Sequence, residues 1–246
     1  MTASVPGSCR QPATRSASGA EVIGFTGLFD ELAAAHGPQR DWWPAESAFE
    51  VMLGAILVQR TAWRNAARAI DELRQQALLD PASLAAADPE IVARLIRSAG
   101  FFRAKSARLC VLAAFVLRSG GVAALDGWDT SRLRACLLEL NGVGPETADA
   151  MLLYAFARPV VVVDEYLRRL LGRLGPPFAG LGDDGLRRAV LVAIGDAPRL
   201  REFHALVVEH GKGHCTTRPR CGDCPLRRGC QLGGGRLSPG LPGACP

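Results

Sequence analysis

Apolar residues recur at helical spacing over 21–36, 46–58, 61–77, 81–86, 89–98, 102–119, 130–140, 145–157, 164–174, 183–195 and 199–211, with short Gly, Pro, Asp or Asn breaks between them. Strand spacing is almost missing. The best strand candidate, Val160–Val163, is β-branched but only four residues long, and a sheet needs several such runs. No internal repeat with a period of about 20–50 residues is visible. The pattern predicts an all-α protein of about ten helices.

The chain has 246 residues, 48% of them hydrophobic and 22% charged, the proportions of a soluble globular protein. Its length suits one large domain or two lobes sharing a core. No window approaches about 18 uninterrupted apolar residues, which argues against a membrane helix. The N-terminus lacks the apolar h-region of a secretory signal, so a cytoplasmic protein is expected. Residues 1–20 and 231–246 lack periodicity and read as disordered tails. The net charge of +5 is compatible with a polyanionic partner. Of 29 basic residues only Lys105 and Lys212 are lysines, so chemistry that needs a side-chain amine has two candidates. Lys105, in GFFRAKSARL, reads as part of a solvated basic helix start.

The most informative break lies in LNGVGPETADAMLLYAF. Gly142 and Gly144 flank Val143 between two apolar helices, and Pro145 suits a first helical position. The free amides that open the second helix, with its dipole, form an anion site. Two readings stand: a clamp for one DNA phosphate, or an ordinary helical hairpin with a glycine turn. Further on, PVVVVDEYLRRLLGRL sets Asp164 at the head of a basic amphipathic helix, as an N-cap, as a carboxylate facing a cleft, or as both.

Of eight cysteines, four fall within 16 residues in HGKGHCTTRPRCGDCPLRRGC, the pattern C-x5-C-x2-C-x5-C. In a chain without a secretion signal this cluster reads as metal ligation rather than a disulfide framework. Cys215, Cys221, Cys224 and Cys230 can hold a [4Fe–4S] cluster or an all-cysteine zinc ion, and spacing does not decide between them. His204, His210 and His214 add little to the zinc reading, because four thiolates already complete a site. Arg218, Arg220, Arg227 and Arg228 are interleaved with the cysteines and suit phosphate contact.

These features, in this order, resemble the endonuclease III family of base-excision-repair DNA glycosylases, over roughly residues 22–230. The resemblance implies a two-lobed fold: a helical-barrel lobe over 46–157 carrying the hairpin, and a lobe from 21–45 and 158–230 carrying a [4Fe–4S] cluster on the four cysteines. It implies a monomer on double-stranded DNA, with a damaged nucleotide flipped into the groove between the lobes and Gln59 filling the gap. It also implies association with the nucleoid. Two departures stand out. Bifunctional members carry a catalytic lysine where this chain has Glu146, and the first cysteine interval is one residue shorter than in the best-known members.

Glu146, together with Trp42-Trp43-Pro44 and the aromatic Trp63 after Gln59 and Thr61, is similar to the branch that acts as 3-methyladenine DNA glycosylases. In that branch a pocket lysine matches Lys212. N-alkylated purines are electron-poor, and indoles favour them by about 0.5–2 kcal/mol per contact. Core packing is the plain alternative for the three tryptophans, and a helix-end polar residue for Gln59. The expected enzyme is a monofunctional glycosylase. Asp164 stabilises the sugar cation, Glu146 is a possible second carboxylate, and Gly142, Val143 and Gly144 hold a flanking phosphate.

Overall fold

The computed structural model describes residues 24–178 and 180–234. The expected tails therefore lie largely outside the described residues. The described part of 231–246 is ordered by contact: Gln231 N and Leu232 N donate to Leu174 O and Arg173 O, at 3.4 and 3.3 Å.

Twelve α-helices run in chain order: α1 (Phe25–His36), α2 (Ala48–Leu57), α3 (Trp63–Gln75), α4 (Pro81–Ala86), α5 (Pro89–Leu95), α6 (Phe102–Arg118), α7 (Val122–Asp126), α8 (Thr130–Leu138), α9 (Pro145–Tyr154), α10 (Glu165–Leu174), α11 (Asp183–Ile194) and α12 (Ala197–Gly213). A 3-10 turn, Arg97–Ala99, precedes α6. The starts follow from local chemistry. Ser47, Asp80, Asp88, Asp129, Asp164 and Asp196 each accept a backbone N–H as N-cap, and prolines stand at the first turns of α4, α5, α9 and α12. The five-residue α7 escaped the periodicity because it is shorter than two turns.

Among the described residues there is no strand. The Val160–Val163 candidate is an extended connector whose Val161, Val162 and Val163 side chains are buried. Its β-branched character serves packing, since no second run exists to complete a ladder.

Two hydrophobic clusters organise the helices. One gathers residues of α2 to α9, including Met52, Ile56, Leu73, Leu109, Leu112 and Met151. The other joins Leu28 and Leu32 of α1 to α10, α11 and α12 through residues such as Leu170, Val190 and Leu206. Helix α9 belongs to both: Ala148, Met151 and Leu152 face the first cluster, Ala150 and Leu153 the second. Asp149, between those faces and 1% exposed, accepts from Arg134 of α8 at 2.6 Å and from Arg187 of α11 at 3.2 Å. Arg201 of α12 donates to Leu153 O and Tyr154 O, satisfying carbonyls at the end of α9. The hairpin helix is thus fixed from both sides.

Candidate functional site

The hairpin turn runs from Leu140 to the start of α9. Gly142 has φ +83°, and a Cβ there would collide with the Arg108 guanidinium, so this position demands glycine. Gly144 differs. Its φ of −90° suits any residue, and a Cβ would meet open space. Its bareness leaves room for something outside the chain. The Val143 side chain is buried in the first cluster, so only its backbone is offered to a partner. The first-turn amides of α9 have no intrahelical acceptors, as at any helix start.

Gln59 is bound to this hairpin. Its Nε2 donates to Gly142 O at 2.9 Å and Thr147 Oγ1 at 3.0 Å, and its Oε1 accepts from Arg108 at 2.9 Å.

Asp164 is both a cap and a buried carboxylate. It is 5% exposed, Oδ1 accepts from Leu167 N at 2.7 Å, and Oδ2 lies 3.6 Å from His204 Nε2. The other side of that imidazole, Nδ1, meets Tyr154 Oη at 2.7 Å. Burial raises the Tyr154 pKa far above its usual value, so the phenol stays protonated. Glu146, in the first turn of α9, keeps its contact with solvent. Partial burial and the charge of Asp164 together raise its pKa, against the opposing pull of His204 and Arg168.

The tryptophans lie against this group. The Trp42 ring is edge-on to His204 at 5.5 Å, and Trp43 sits 4.9 Å from Tyr154 and 5.5 Å from Trp63. Trp42 Nε1 donates to Glu209 at 2.7 Å, Lys212 Nζ donates to the same carboxylate at 2.9 Å, and the ammonium stands 5.3 Å over the Trp42 ring. Burial works to raise the Glu209 pKa, but the bonds from Trp42 and Lys212 outweigh it and lower it. A cleft of about 360 Å³ opens on one flank of these rings, lined in part by Trp42, Trp43, Tyr154, Arg40 and Arg201. Asp164, Glu146, Trp63 and Lys212 do not line it.

The four cysteines gather where the loop after α12 folds back on α10. Arg169 donates to Cys215 O at 2.8 Å, and Arg173 donates to Thr216 O at 2.6 Å and to Cys215 Sγ at 3.3 Å. Burial, then the charges of the neighbouring thiols, raises the pKa of Cys221, while Cys224 is raised chiefly by burial. Four soft donors on one loop, whose charges act on one another and with a guanidinium on Cys215 Sγ, have the donor chemistry of a four-thiolate group. Among the described residues, no three Cys, His, Asp or Glu side chains are set as a single-ion site. Arg218 and Arg220 are exposed on the loop.

Three residues depart from, or go beyond, what the sequence suggests. Lys105 is not on a solvated face: it is 1% exposed and donates to Leu57 O, Gln59 O and Ala99 O at 2.8 Å each. His204 stands between Asp164 and Tyr154, not among the cysteines. Phe101 is 65% exposed in a left-handed conformation, φ +46°, at the head of α6. Its place in a basic, apolar helix start, GFFRAKSAR, was the available signal.

Residues 53–179 match the HhH-GPD superfamily base excision DNA repair protein family. A Methanocaldococcus jannaschii protein provisionally named as a DNA repair glycosylase is 40% identical over 208 residues, which cover 82% of this chain and 94% of that protein. Endonuclease III of Thermotoga maritima is 27% identical over 75% of this chain and 83% of its own length. The crystal structure of H. pylori 3-methyladenine DNA glycosylase (MagIII) bound to 1,N6-ethenoadenine superposes with a TM-score of 0.69 at 25% identity, covering 77% of this chain and 98% of that one. A non-covalent endonuclease III–DNA complex superposes at 0.70 and 24% identity, covering 85% and 94%, and shares the fold. The chain belongs to the HhH-GPD superfamily of base excision DNA repair proteins, as a DNA glycosylase of the endonuclease III kind. No helix among the described residues is long and apolar enough to cross a membrane.

Proposed function

We propose that the chain is a monofunctional DNA glycosylase that flips a damaged nucleotide from double-stranded DNA and hydrolyses its N-glycosidic bond, with a preference for alkylated purines. The observation that carries this reading is the contact chain Trp42–His204–Asp164: an electron-rich ring 5.5 Å from an imidazole that stands 3.6 Å from a buried carboxylate. Stacking for an electron-poor base and negative charge for a developing sugar cation are thereby adjacent. Trp43, Trp63 and Lys212 complete the base-recognising group. The solved relative named for 3-methyladenine and bound to 1,N6-ethenoadenine supports the same preference.

Asp164 stabilises the oxocarbenium-like transition state and orients the water that adds to the sugar carbon as the base leaves. Glu146, with its raised pKa, holds or passes a proton at the same face. The backbone of Gly142, Val143 and Gly144 takes a flanking phosphate, Gln59 enters the gap left by the flipped base, and Arg218 and Arg220 take further phosphates. Schiff-base lyase chemistry has no amine in the hairpin. Cys215, Cys221, Cys224 and Cys230 would hold a [4Fe–4S] cluster, whose part is to keep the Arg-bearing loop rigid. We propose the two lobes given by the sequence, a monomer, and a cytoplasmic, nucleoid-associated setting.

Duplexes with alkylated, oxidised or uracil bases, incubated with purified protein, test this reading. Release of alkylated purines supports it. Release of oxidised pyrimidines with strand cleavage favours an endonuclease III-like specificity, and binding without release a damage sensor.

A further inference from the structure

We infer that Lys105 is the positioning residue for the edge that probes the duplex, acting through Gln59 and Phe101. This rests on the reading of Gln59 as the group that enters the gap beside a flipped nucleotide. Lys105 is buried in α6 and has no carboxylate partner among the described residues. Its three N–H groups serve three carbonyls, each at 2.8 Å. Those carbonyls belong to two separate segments. Leu57 O and Gln59 O lie at the end of α2 and in the turn beyond it, and Ala99 O closes the 3-10 turn before Phe101. A simple helix cap would need the α2 carbonyls alone; the bond to Ala99 locks the two segments at a fixed separation.

Beyond two of the bonded carbonyls, directly after Gln59 O and two residues after Ala99 O, the backbone enters conformations that L residues avoid. Arg60 has φ +55° and Phe101 has φ +46°, both strained for L residues. Such strain persists only where the surroundings over-determine it. The strained turns present the Gln59 amide on one segment and the exposed Phe101 ring on the other. Arg108, on the same helix, bonds the Gln59 side chain itself, so one helix sets both backbone and side chain. A buried ammonium is costly where an apolar side chain would pack, and burial, with the Arg108 charge, lowers its pKa to about 8. Its bonds hold two loops, not a charge partner.

The experiment compares Lys105→Met, which keeps the volume, and Lys105→Ala, which leaves three carbonyls facing a space that fits methylammonium. Four quantities are read: thermal melting, affinity for undamaged duplex, fluorescence of a 2-aminopurine placed beside the lesion, and base release on a lesion the wild type accepts. A displacement on the order of 1 Å at a reacting centre costs about 100-fold. Lys105→Met is expected to lose about that much in kcat, with KM and undamaged-duplex affinity within about threefold, and to lose the unstacking signal. Methylammonium restores unstacking and kcat in Lys105→Ala and not in Lys105→Met. In a Gln59→Ala/Phe101→Ala background, Lys105→Met costs no more than about twofold further.

Wild-type unstacking and kcat in Lys105→Met overturn the inference, as does an undiminished loss in the double background. Methylammonium that restores melting without unstacking overturns it too. If Lys105→Met does not melt cooperatively, methylammonium-loaded Lys105→Ala carries the same comparison. Gln59→Ala alone separates two failures: wild-type unstacking there overturns the insertion reading, while loss there and none in Lys105→Met overturns the positioning role.

Discussion

His204 Nε2 lies 3.6 Å from Asp164 Oδ2, on the carboxylate oxygen that the helix cap does not use. That distance is beyond a hydrogen bond, so the oxygen remains available to a developing positive charge. Tyr154 holds the imidazole from its far side at 2.7 Å. The proposed two roles of Asp164 thus fall on different oxygens, the cap on Oδ1 and the proposed charge stabilisation on Oδ2.

Asp164→Asn separates them. Asn caps about as well as Asp, so the melting temperature is expected to change little. Base release should be abolished, because the neutral amide offers no charge to the sugar cation. DNA affinity, read by titration, should be equal or higher. Unchanged turnover would reduce Asp164 to a cap.

Glu146 carries a pH signature. Burial, then the charge of Asp164, raises its folded pKa above the usual glutamate value. Between the unfolded and folded pKa values the folded state binds more protons, so stability falls as pH rises through that window. Glu146→Gln is therefore expected to raise the melting temperature at neutral pH, and the gain should vanish below about pH 4.5, where both forms are neutral. A gain that persists in acid would point to packing instead.

The missing hairpin lysine is tested by trapping. Borohydride should capture little enzyme on DNA, and abasic strands should stay intact until alkali is added. Glu146→Lys should introduce modest strand cleavage if residue 146 adjoins the sugar. Efficient wild-type trapping that disappears in Lys212→Ala would assign the lyase to the other lysine.

The two hairpin glycines should behave differently. Gly142→Ala forces a Cβ against Arg108 at φ +83°, and should lose about 1–2 kcal/mol of stability or more. Gly144→Ala meets nothing within the protein, so melting should hold while DNA affinity falls. Equal melting losses would contradict this assignment.

The cysteine loop should give brown protein with broad absorption near ~400 nm. Cys221→Ser should remove the colour and weaken DNA binding. Colourless protein with one zinc per chain would contradict the cluster.

The helices were legible because caps and apolar periodicity are local. Asp80-Pro81 and Asp88-Pro89 announce their helix starts in two letters each. The hairpin, Asp164 and the cysteine loop were legible as motifs. The roles of Lys105 and His204 were not, because each depends on partners far along the chain: Leu57 is 48 residues from Lys105, and Tyr154 is 50 from His204. A lysine in a basic helix start looks solvated until its partners are known to be carbonyls. Val160–Val163 stayed ambiguous as a local signal for a related reason, since β-branched residues suit a buried connector as well as a strand, and only the lack of a second such run pointed to the all-α fold.

The most direct measurement is the identity of the base released from duplexes carrying alkylated purines, oxidised pyrimidines or uracil, read by chromatography alongside strand integrity. The account predicts free alkylated purine, intact abasic strands, and loss of both in Asp164→Asn. Free oxidised pyrimidine with cleaved strands, or no free base from any duplex, would contradict it.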